Sequence, residues 1–114
     1  MKNKKAVGNA AEEAAAGWIE KNKGYKITDR NYSGREGEID IIALDGDTTV
    51  FVEVKYRESD VSGYPSEAVT AKKQERIIKT AMKYISETGN DNIRFDVAEI
   101  TDRNGRKYIR YIEN

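Results

Sequence analysis

Two segments rich in β-forming residues, 38–44 and 48–56, flank the pair Asp45-Gly46. Part of each segment alternates apolar and polar side chains, Glu38-Ile39-Asp40-Ile41 in the first and Val52-Glu53-Val54-Lys55 in the second, which predicts strands. An Asp-Gly pair between two strands predicts a tight hairpin. A hairpin sets which side chains of its two strands meet. This antiparallel pair is therefore the strongest constraint on the fold that the sequence offers.

The hairpin register predicts that acidic side chains of the two strands meet. With Asp45 and Gly46 as the turn, Asp40 lies opposite Phe51, and Glu53 lies opposite Glu38 and diagonal to Asp40. Two sets of alternating residues then project on one side of the sheet: Glu38, Asp40 and Ile42 from the first strand, and Phe51, Glu53 and Lys55 from the second. We therefore expect Asp40, Glu53 and Lys55 to converge.

The remaining pattern predicts an α/β fold. Two stretches have helical periodicity and several have strand character, with turns between them. The predicted elements are a helix at 6–22 that stops at Gly24, a strand at 25–32, a turn at 33–37, a loop at 58–65, a helix at 71–87 with Thr70 as its N-cap, and strands at 92–100 and 107–112 joined by Asn104-Gly105. The order α-β-β-β-α-β-β predicts a mixed central sheet flanked by helices, in one domain spanning residues 1–114.

Composition excludes several classes of chemistry. The 114 residues include no histidine and no cysteine, so serine–histidine triads, histidine metal clusters and thiolate zinc sites are absent. Apolar runs fall far short of the roughly 20 residues that span a membrane, so we expect a cytoplasmic protein. The net charge is zero and gives no argument for nucleic-acid binding. Catalysis here would depend on Asp, Glu, Lys, Tyr or a hard metal ion.

The converging carboxylates indicate one such metal. Like charges placed opposite each other destabilise a hairpin unless a positive charge lies between them, and Mg²⁺ or Mn²⁺ prefers carboxylate oxygens. Lys55 adds an ammonium group on the same face, so the trio is suited to phosphodiester hydrolysis. The alternative is a surface ion-pair cluster of Glu38, Glu53 and Lys55. Geometry alone leaves both interpretations open.

The two helices carry further candidates. On a helical wheel Glu12 lies near the apolar stripe and can reach the sheet, whereas Glu13 points to solvent. The second helix has an apolar face of Ile77, Ile78, Ala81, Met82 and Ile85. Its opposite face carries Lys72, Arg76, Lys79 and Lys83, and these form either a nucleic-acid contact or a solvated surface. Lys73 flanks the apolar stripe near the predicted site, and Arg57 at the end of its strand is a further candidate for a phosphate contact.

Two motifs carry a family resemblance. Gly37-Glu38-Ile39-Asp40 followed by Phe51-Val52-Glu53-Val54-Lys55 resembles the PD-(D/E)xK signature of restriction-endonuclease-like nucleases. The whole chain resembles the bacterial YraN family, which is similar to archaeal Holliday-junction resolvases. Other matching positions run along the chain: Gly8-Asn9-Ala10-Ala11-Glu12, Gly24-Tyr25, Arg30-Asn31-Tyr32, Gly63, Pro65, Ala68-Val69-Thr70, Lys73 and Arg94-Phe95-Asp96-Val97. Ile39 stands where the motif has proline, and Ala71 stands where proline is expected after Thr70.

The resemblance implies a restriction-endonuclease-like core and a Mg²⁺- or Mn²⁺-dependent endonuclease acting on DNA, including branched or structured DNA. It implies that Asp40, Glu53 and Glu12 are metal ligands and that Lys55 is the catalytic lysine. Resolvases act as dimers, which leaves a homodimer open. Two alternatives remain: a module that keeps the nuclease fold but only binds nucleic acid, and a scaffold with no nucleic-acid partner.

Overall fold

The computed structural model describes residues 4–57 and 71–113, with side chains from residue 8 onward. Two helices and five strands make up these residues, in the predicted order and the predicted α/β class. Their bounds are α1 Lys4–Trp18, continued by a π-helical turn Ile19–Lys23, β1 Lys26–Ser33, β2 Glu38–Asp45, β3 Thr48–Arg57, α2 Ala71–Thr88, β4 Ile93–Arg103 and β5 Arg106–Ile112. The predicted loop at 58–65 and the predicted N-cap Thr70 lie outside the described residues.

The five strands form one mixed sheet in the order β1-β2-β3-β4-β5. β3 and β4 are parallel, and the other neighbouring pairs are antiparallel. Parallel neighbours need a crossover connection, and α2 lies in the segment that joins β3 to β4. The hairpin between β4 and β5 has its predicted turn, since Asn104 and Gly105 both have positive φ, as a type I′ turn requires.

The turn of the central hairpin is shifted by one residue from the prediction. Asp45 pairs with Thr48, so the turn residues are Gly46 and Asp47 rather than Asp45 and Gly46. Gly46 is the first central residue of this turn and has a φ of 60°. Two-residue hairpin turns have a positive φ at that position, which glycine adopts readily. The predicted register was therefore wrong by two residues. Phe51, the predicted partner of Asp40, pairs with Ile42 instead.

The two faces of the sheet carry separate cores. Apolar side chains of α1 pack on one face, and apolar side chains of α2 pack on the other. The first core contains Ala11, Ala15, Ala16, Ile19, Tyr25, Ile41, Ala43, Val50, Val52, Ala98 and Ile100. The second contains Ile39, Ile42, Phe51 and Ala81, with Ile77, Tyr84, Ile85 and Phe95 packed against it. The site described below lies where both helices reach the strands β2 and β3.

Strict alternation fails on β2 around Asp40. Ile39 and Ile42 lie in the same core although three positions separate them, and Ile41 lies in the other core. The prediction that Glu38, Asp40 and Ile42 share one face was therefore wrong. The pairing of β2 with β3 ends at Ile41, whereas Glu38 and Ile39 pair with β1 on the other side of the strand.

The buried face of α2 also differs from the prediction. Ile78 and Met82 are 48% and 63% exposed, whereas Thr80 and Ala81 are buried. The helix is rotated so that Thr80 packs against the turn that precedes β2, where a Cβ added to Gly34 would lie 3.3 Å from Thr80 Cγ2. This contact depends on the position of a turn that is distant along the chain. The helical periodicity of α2 gives no information about that position. Within residues 4–57 and 71–113, neither helix is long and apolar enough to cross a bilayer.

Candidate metal centre and nucleic-acid interface

Asp40 lies where the pairing of β2 and β3 ends. Its Oδ2 accepts a hydrogen bond of 2.8 Å from the backbone N–H of Val54. Burial raises the pKa of Asp40, the negative charge of Glu53 raises it further, and the Val54 hydrogen bond opposes both, with a resulting pKa of about 7. Asp40 and Glu53 are therefore electrostatic neighbours. A positive charge between them would be strongly favoured.

Glu12 reaches the same region from α1, as the helical wheel predicted. Its Oε1 is buried and has no hydrogen-bond partner among the described residues, although the side chain of Asn31 hydrogen-bonds to the carboxylate. Burial raises the pKa of Glu12, the Asn31 hydrogen bond opposes the rise, and the charge of Glu38 adds to it. Glu13 is exposed, as the helical wheel predicted, and its carboxylate pairs with Arg30 of β1 at 2.8 Å.

The carboxylates of Glu12, Glu38 and Asp40 form an acidic group. One oxygen of each residue lies within 4.8 Å of the other two. Sequence reasoning placed Glu38 on the strand but did not name it as a metal ligand, although its position two residues before Asp40 was a usable signal. An oxygen-only cluster with one unsatisfied buried oxygen fits a hard cation such as Mg²⁺ or Mn²⁺.

Glu53 lies beside this group and is engaged by α2. Lys73 Nζ lies 2.6 Å from Glu53 Oε1, in an ion pair whose carboxylate side chain is only 11% exposed. Burial lowers the pKa of Lys73, but the hydrogen bond and charge of Glu53 outweigh it, so this pKa is raised. Lys55 follows Glu53 by two residues on β3 and is half-buried. The structure thus brings Glu12, Asp40, Glu53 and two lysines into one region.

The other basic candidates are spread over α2 and the end of β3. Lys72 is exposed near the start of α2, and Lys79 pairs with Glu75 at 3.2 Å. Arg76 lies beside the turn before β2, because a Cβ on Gly37 would lie 3.4 Å from Arg76 Cβ. Arg57 is half-buried, and its Nε has no hydrogen-bond partner among the residues described.

A cavity of about 320 Å³ lies beside Glu53 on the α2 side of the sheet. Most of its walls are apolar, and the polar side chains of Glu53, Gln74 and Asp96 also contribute. The lining residues are Ile39, Phe51, Val52, Glu53, Gln74, Ile77, Ile78, Phe95, Asp96, Val97 and Ile112. The acidic side of the site therefore adjoins an apolar recess.

Asp96 lies at the centre of a polar network on β4. Its buried carboxylate accepts hydrogen bonds from Arg94 Nε at 3.0 Å and from the Tyr111 hydroxyl at 2.6 Å. Arg94 also bonds Asp45 at 3.0 Å. The network therefore ties β4 and β5 to the end of β2.

Comparison with solved structures found a repair endonuclease from Pyrococcus abyssi. The match has a TM-score of 0.49 and 21% sequence identity, and it covers 82% of this chain and 39% of that chain.

Sequence comparison found close relatives over nearly the whole length. A UPF0102 protein of Alkaliphilus oremlandii is 47% identical over 114 residues, covering 96% of this chain and 97% of the relative. A UPF0102 protein of Chlorobium chlorochromatii is 48% identical over 92 residues, covering 80% of this chain and 70% of the relative. The model of the "Uncharacterised protein family UPF0102" matches residues 11–100. This chain therefore belongs to UPF0102, the YraN family that its motifs resemble.

Proposed function

We propose that this protein is a divalent-metal-dependent nuclease that hydrolyses phosphodiester bonds. The observation that carries the proposal is the acidic group: Glu12, Glu38 and Asp40 hold oxygens within 4.8 Å of one another, and Glu12 Oε1 is buried without a partner. Uncompensated carboxylates in a partly buried site are costly unless a cation joins them. The finer proposal is an endonuclease that acts on DNA with branched or otherwise unusual structure.

Asp40, Glu12 and Glu53 would hold Mg²⁺ or Mn²⁺, and Glu38 is a further ligand candidate. When bound, such an ion polarises a phosphoryl oxygen and lowers the pKa of a coordinated water. The protein contributes the positions of these oxygens. The Val54 N–H orients Asp40, and the Asn31 side chain orients Glu12. Ligands oriented by a second layer of hydrogen bonds hold an ion better than freely rotating carboxylates.

Lys55 supplies the positive charge for the reacting phosphate. It follows Glu53 on β3, so strand alternation directs its ammonium to the side of the sheet where Glu53 lies. An ammonium at this position stabilises the negative charge that develops on phosphoryl oxygens in the transition state. Without histidine in the chain, lysine and arginine are the available cationic side chains, and Lys55 is the one on the strand of Glu53 two residues away.

The basic residues of α2 and β3 would contact the nucleic-acid backbone. Lys73 lies beside Glu53, and Lys72 and Lys79 are exposed on the same helix. Arg76 on α2 and Arg57 at the end of β3 complete the proposed set. Such contacts bind phosphates without reading sequence, which is consistent with recognition of DNA shape. A homodimer would present two such sites to a two-fold symmetric substrate.

The test is cleavage of linear, nicked, flap and four-way-junction DNA, with RNA counterparts, in Mg²⁺ or Mn²⁺. Asp40→Asn, Glu53→Gln, Glu12→Gln and Lys55→Met should each reduce cleavage at least about 100-fold, since each removes a ligand or the charge at the reacting phosphate. Glu13→Gln is the matched control, because Glu13 adjoins Glu12 but pairs with Arg30, and it should leave cleavage unchanged. Cleavage that persists in Asp40→Asn would refute the assignment.

Calorimetric titration with Mn²⁺ separates the nuclease from a module that only binds nucleic acid. The nuclease takes up the metal, and Asp40→Asn abolishes this uptake. A chain that binds DNA with salt-dependent affinity but takes up no Mn²⁺ would instead be a binding module.

A further inference from the structure

Lys73 contacts a carboxylate of the proposed site directly. Its Nζ lies 2.6 Å from Glu53 Oε1, and it comes from the first turn of α2, whereas Glu53 comes from β3. The lysine side chain is 46% exposed and the glutamate side chain is 11% exposed. A partly exposed ammonium therefore covers a nearly buried carboxylate.

The charge of Lys73 also acts beyond Glu53. The negative charge of Glu53 raises the pKa of Asp40, and the positive charge of Lys73 lowers it. Lys73 therefore lies close enough to influence both carboxylates. It supplies in the described structure the positive charge that a divalent ion would supply in the loaded site.

A divalent ion that binds Glu53 would compete with the ammonium of Lys73 for the same carboxylate. Mg²⁺ lies about 2.0–2.1 Å from a carboxylate oxygen that it binds, and the ammonium already holds Oε1 at 2.6 Å. Two cations on one carboxylate repel each other in a poorly solvated site. Lysine has a flexible four-carbon stem, so its ammonium can leave without any movement of the backbone.

We infer that Lys73 is an exchangeable counter-ion, which neutralises Glu53 in the metal-free protein and moves to a substrate phosphate when a divalent ion binds. This inference rests on the proposed function. Helix α2 would then regulate nucleic-acid binding, because the displaced ammonium of Lys73 adds a phosphate contact only in the metal-loaded protein. Metal and nucleic acid would then bind with positive coupling, and the coupling would be reciprocal.

The decisive experiment measures Mn²⁺ affinity of the full chain by calorimetry, without nucleic acid. Lys73→Met should bind Mn²⁺ about three- to tenfold more tightly than the unsubstituted protein, because the competing charge is gone. Lys73→Arg keeps the charge and should restore an affinity close to that of the unsubstituted protein. Lys79→Met is the matched control: it removes one charge from the same helix, but Lys79 pairs with Glu75, so Mn²⁺ affinity should not change.

A second readout follows Lys73 directly. Amine acylation with mass-spectrometric detection should modify Lys73 faster when Mn²⁺ is added, relative to Lys79 in the same sample. Displacement of the ammonium from Glu53 predicts this change, and a purely structural ion pair predicts none.

The outcomes separate this inference from the proposed function. If the unsubstituted protein takes up no Mn²⁺, the metal site itself is rejected and the inference with it. If it takes up Mn²⁺ but Lys73→Met binds equally or more weakly, only the inference is overturned. In that case Lys73 holds Glu53 in position for the metal.

Discussion

The backbone N–H of Val54 donates a hydrogen bond of 2.8 Å to Oδ2 of Asp40, just past the last recorded pair of the β2–β3 ladder, Ile41 with Val52. A side chain of β2 thus accepts a hydrogen bond from a backbone N–H of β3, beyond the end of the backbone pairing between the two strands. The same contact holds a carboxylate in a buried place beside Glu53. Burial and the negative charge of Glu53 raise the pKa of Asp40 to about 7.

Asp40→Asn should stabilise the metal-free protein at pH 8. The pKa of Asp40 rises from its ordinary 3.8 to about 7 on folding, so the folded state holds a proton that the unfolded state releases. Stability from this group is complete below about pH 4, falls as the pH rises to about 7 and is constant above. Asparagine resembles the protonated form and can still accept the Val54 hydrogen bond. We expect a gain of about 2–4 kcal/mol at pH 8.

Urea unfolding in a metal chelator, repeated between pH 4 and pH 8, measures this gain. The stability difference between Asp40→Asn and the unsubstituted protein should widen with pH and vanish near pH 4. A difference that stays constant across this range would show that Asp40 keeps an ordinary pKa in the folded chain.

Substitutions of Asn31 should have two separate effects, one on metal affinity through Glu12 and one on stability through the backbone. It has a φ of 53°, which asparagine tolerates better than alanine, and its side chain hydrogen-bonds to Glu12. Asn31→Gly and Asn31→Ala should both weaken Mn²⁺ binding by about tenfold, because Glu12 loses its orienting contact. Only Asn31→Ala should lose an additional ~1 kcal/mol of stability from backbone strain. Calorimetry measures the Mn²⁺ affinity, and urea unfolding measures the stability. Unchanged Mn²⁺ affinity in both variants would contradict the orienting role of Asn31.

Asp96→Asn should be among the more destabilising single substitutions on β4. The Asp96 side chain is fully buried and accepts bonds from Arg94 and Tyr111, so its neutralisation leaves the Arg94 charge poorly compensated. We expect a loss of about 2–4 kcal/mol in urea unfolding. Asp45→Asn is the control, since the exposed Asp45 carboxylate contacts the same arginine, and it should cost less than about 1 kcal/mol. Equal losses for both would indicate that burial of Asp96 contributes nothing.

Two substitutions on α2 test which of its faces packs on the sheet. Ala81 is buried at 1% exposure, so Ala81→Leu should destabilise by about 1–3 kcal/mol through overpacking. Met82 is the next residue and is 63% exposed, so Met82→Ser should change stability by less than about 0.5 kcal/mol. Thermal unfolding checks both. A large loss of stability in Met82→Ser would show that Met82 packs on the sheet, as periodicity alone predicted.

The basic residues of α2 should govern the salt dependence of nucleic-acid binding. Lys72→Ala and Lys79→Ala should each reduce the slope of log K against log salt by about 1, because each phosphate contact releases condensed counter-ions. Fluorescence anisotropy over a range of salt concentrations measures this slope on duplex and junction DNA. Glu75→Gln serves as control, since it removes an acidic neighbour of Lys79 and should not flatten the slope.

Local signals predicted most of the elements and their type. The α1 helix ends, with its π-helical turn, at the predicted Gly24, which has a φ of 70° and donates its N–H to Ile19 O at 3.1 Å. The contrast between Glu12 and Glu13 was also predictable, because a helical wheel depends only on residue spacing. The class of the fold and the element order followed from the same kind of periodic pattern.

The predictions were wrong where contacts between segments distant in the sequence determine the structure. A shift of the hairpin turn to Gly46-Asp47 changes the cross-strand partner of Asp40, although residue pattern accepts either turn. The helix α2 rotates toward the turn before β2, and this exposes Ile78. Periodicity finds an apolar face but does not measure how the opposing surface fills it.

The sequence by itself determined the secondary structure, the absence of histidine chemistry and the presence of Asp40, Glu53 and Lys55 on neighbouring strands. Only the tertiary structure decided that Glu12 and Glu38 approach Asp40, and that Lys73 of α2 holds Glu53. The physical reason is that alternation and helical spacing are local properties of the backbone. Distances between a helix and a strand arise from packing of the whole core, which no single segment encodes.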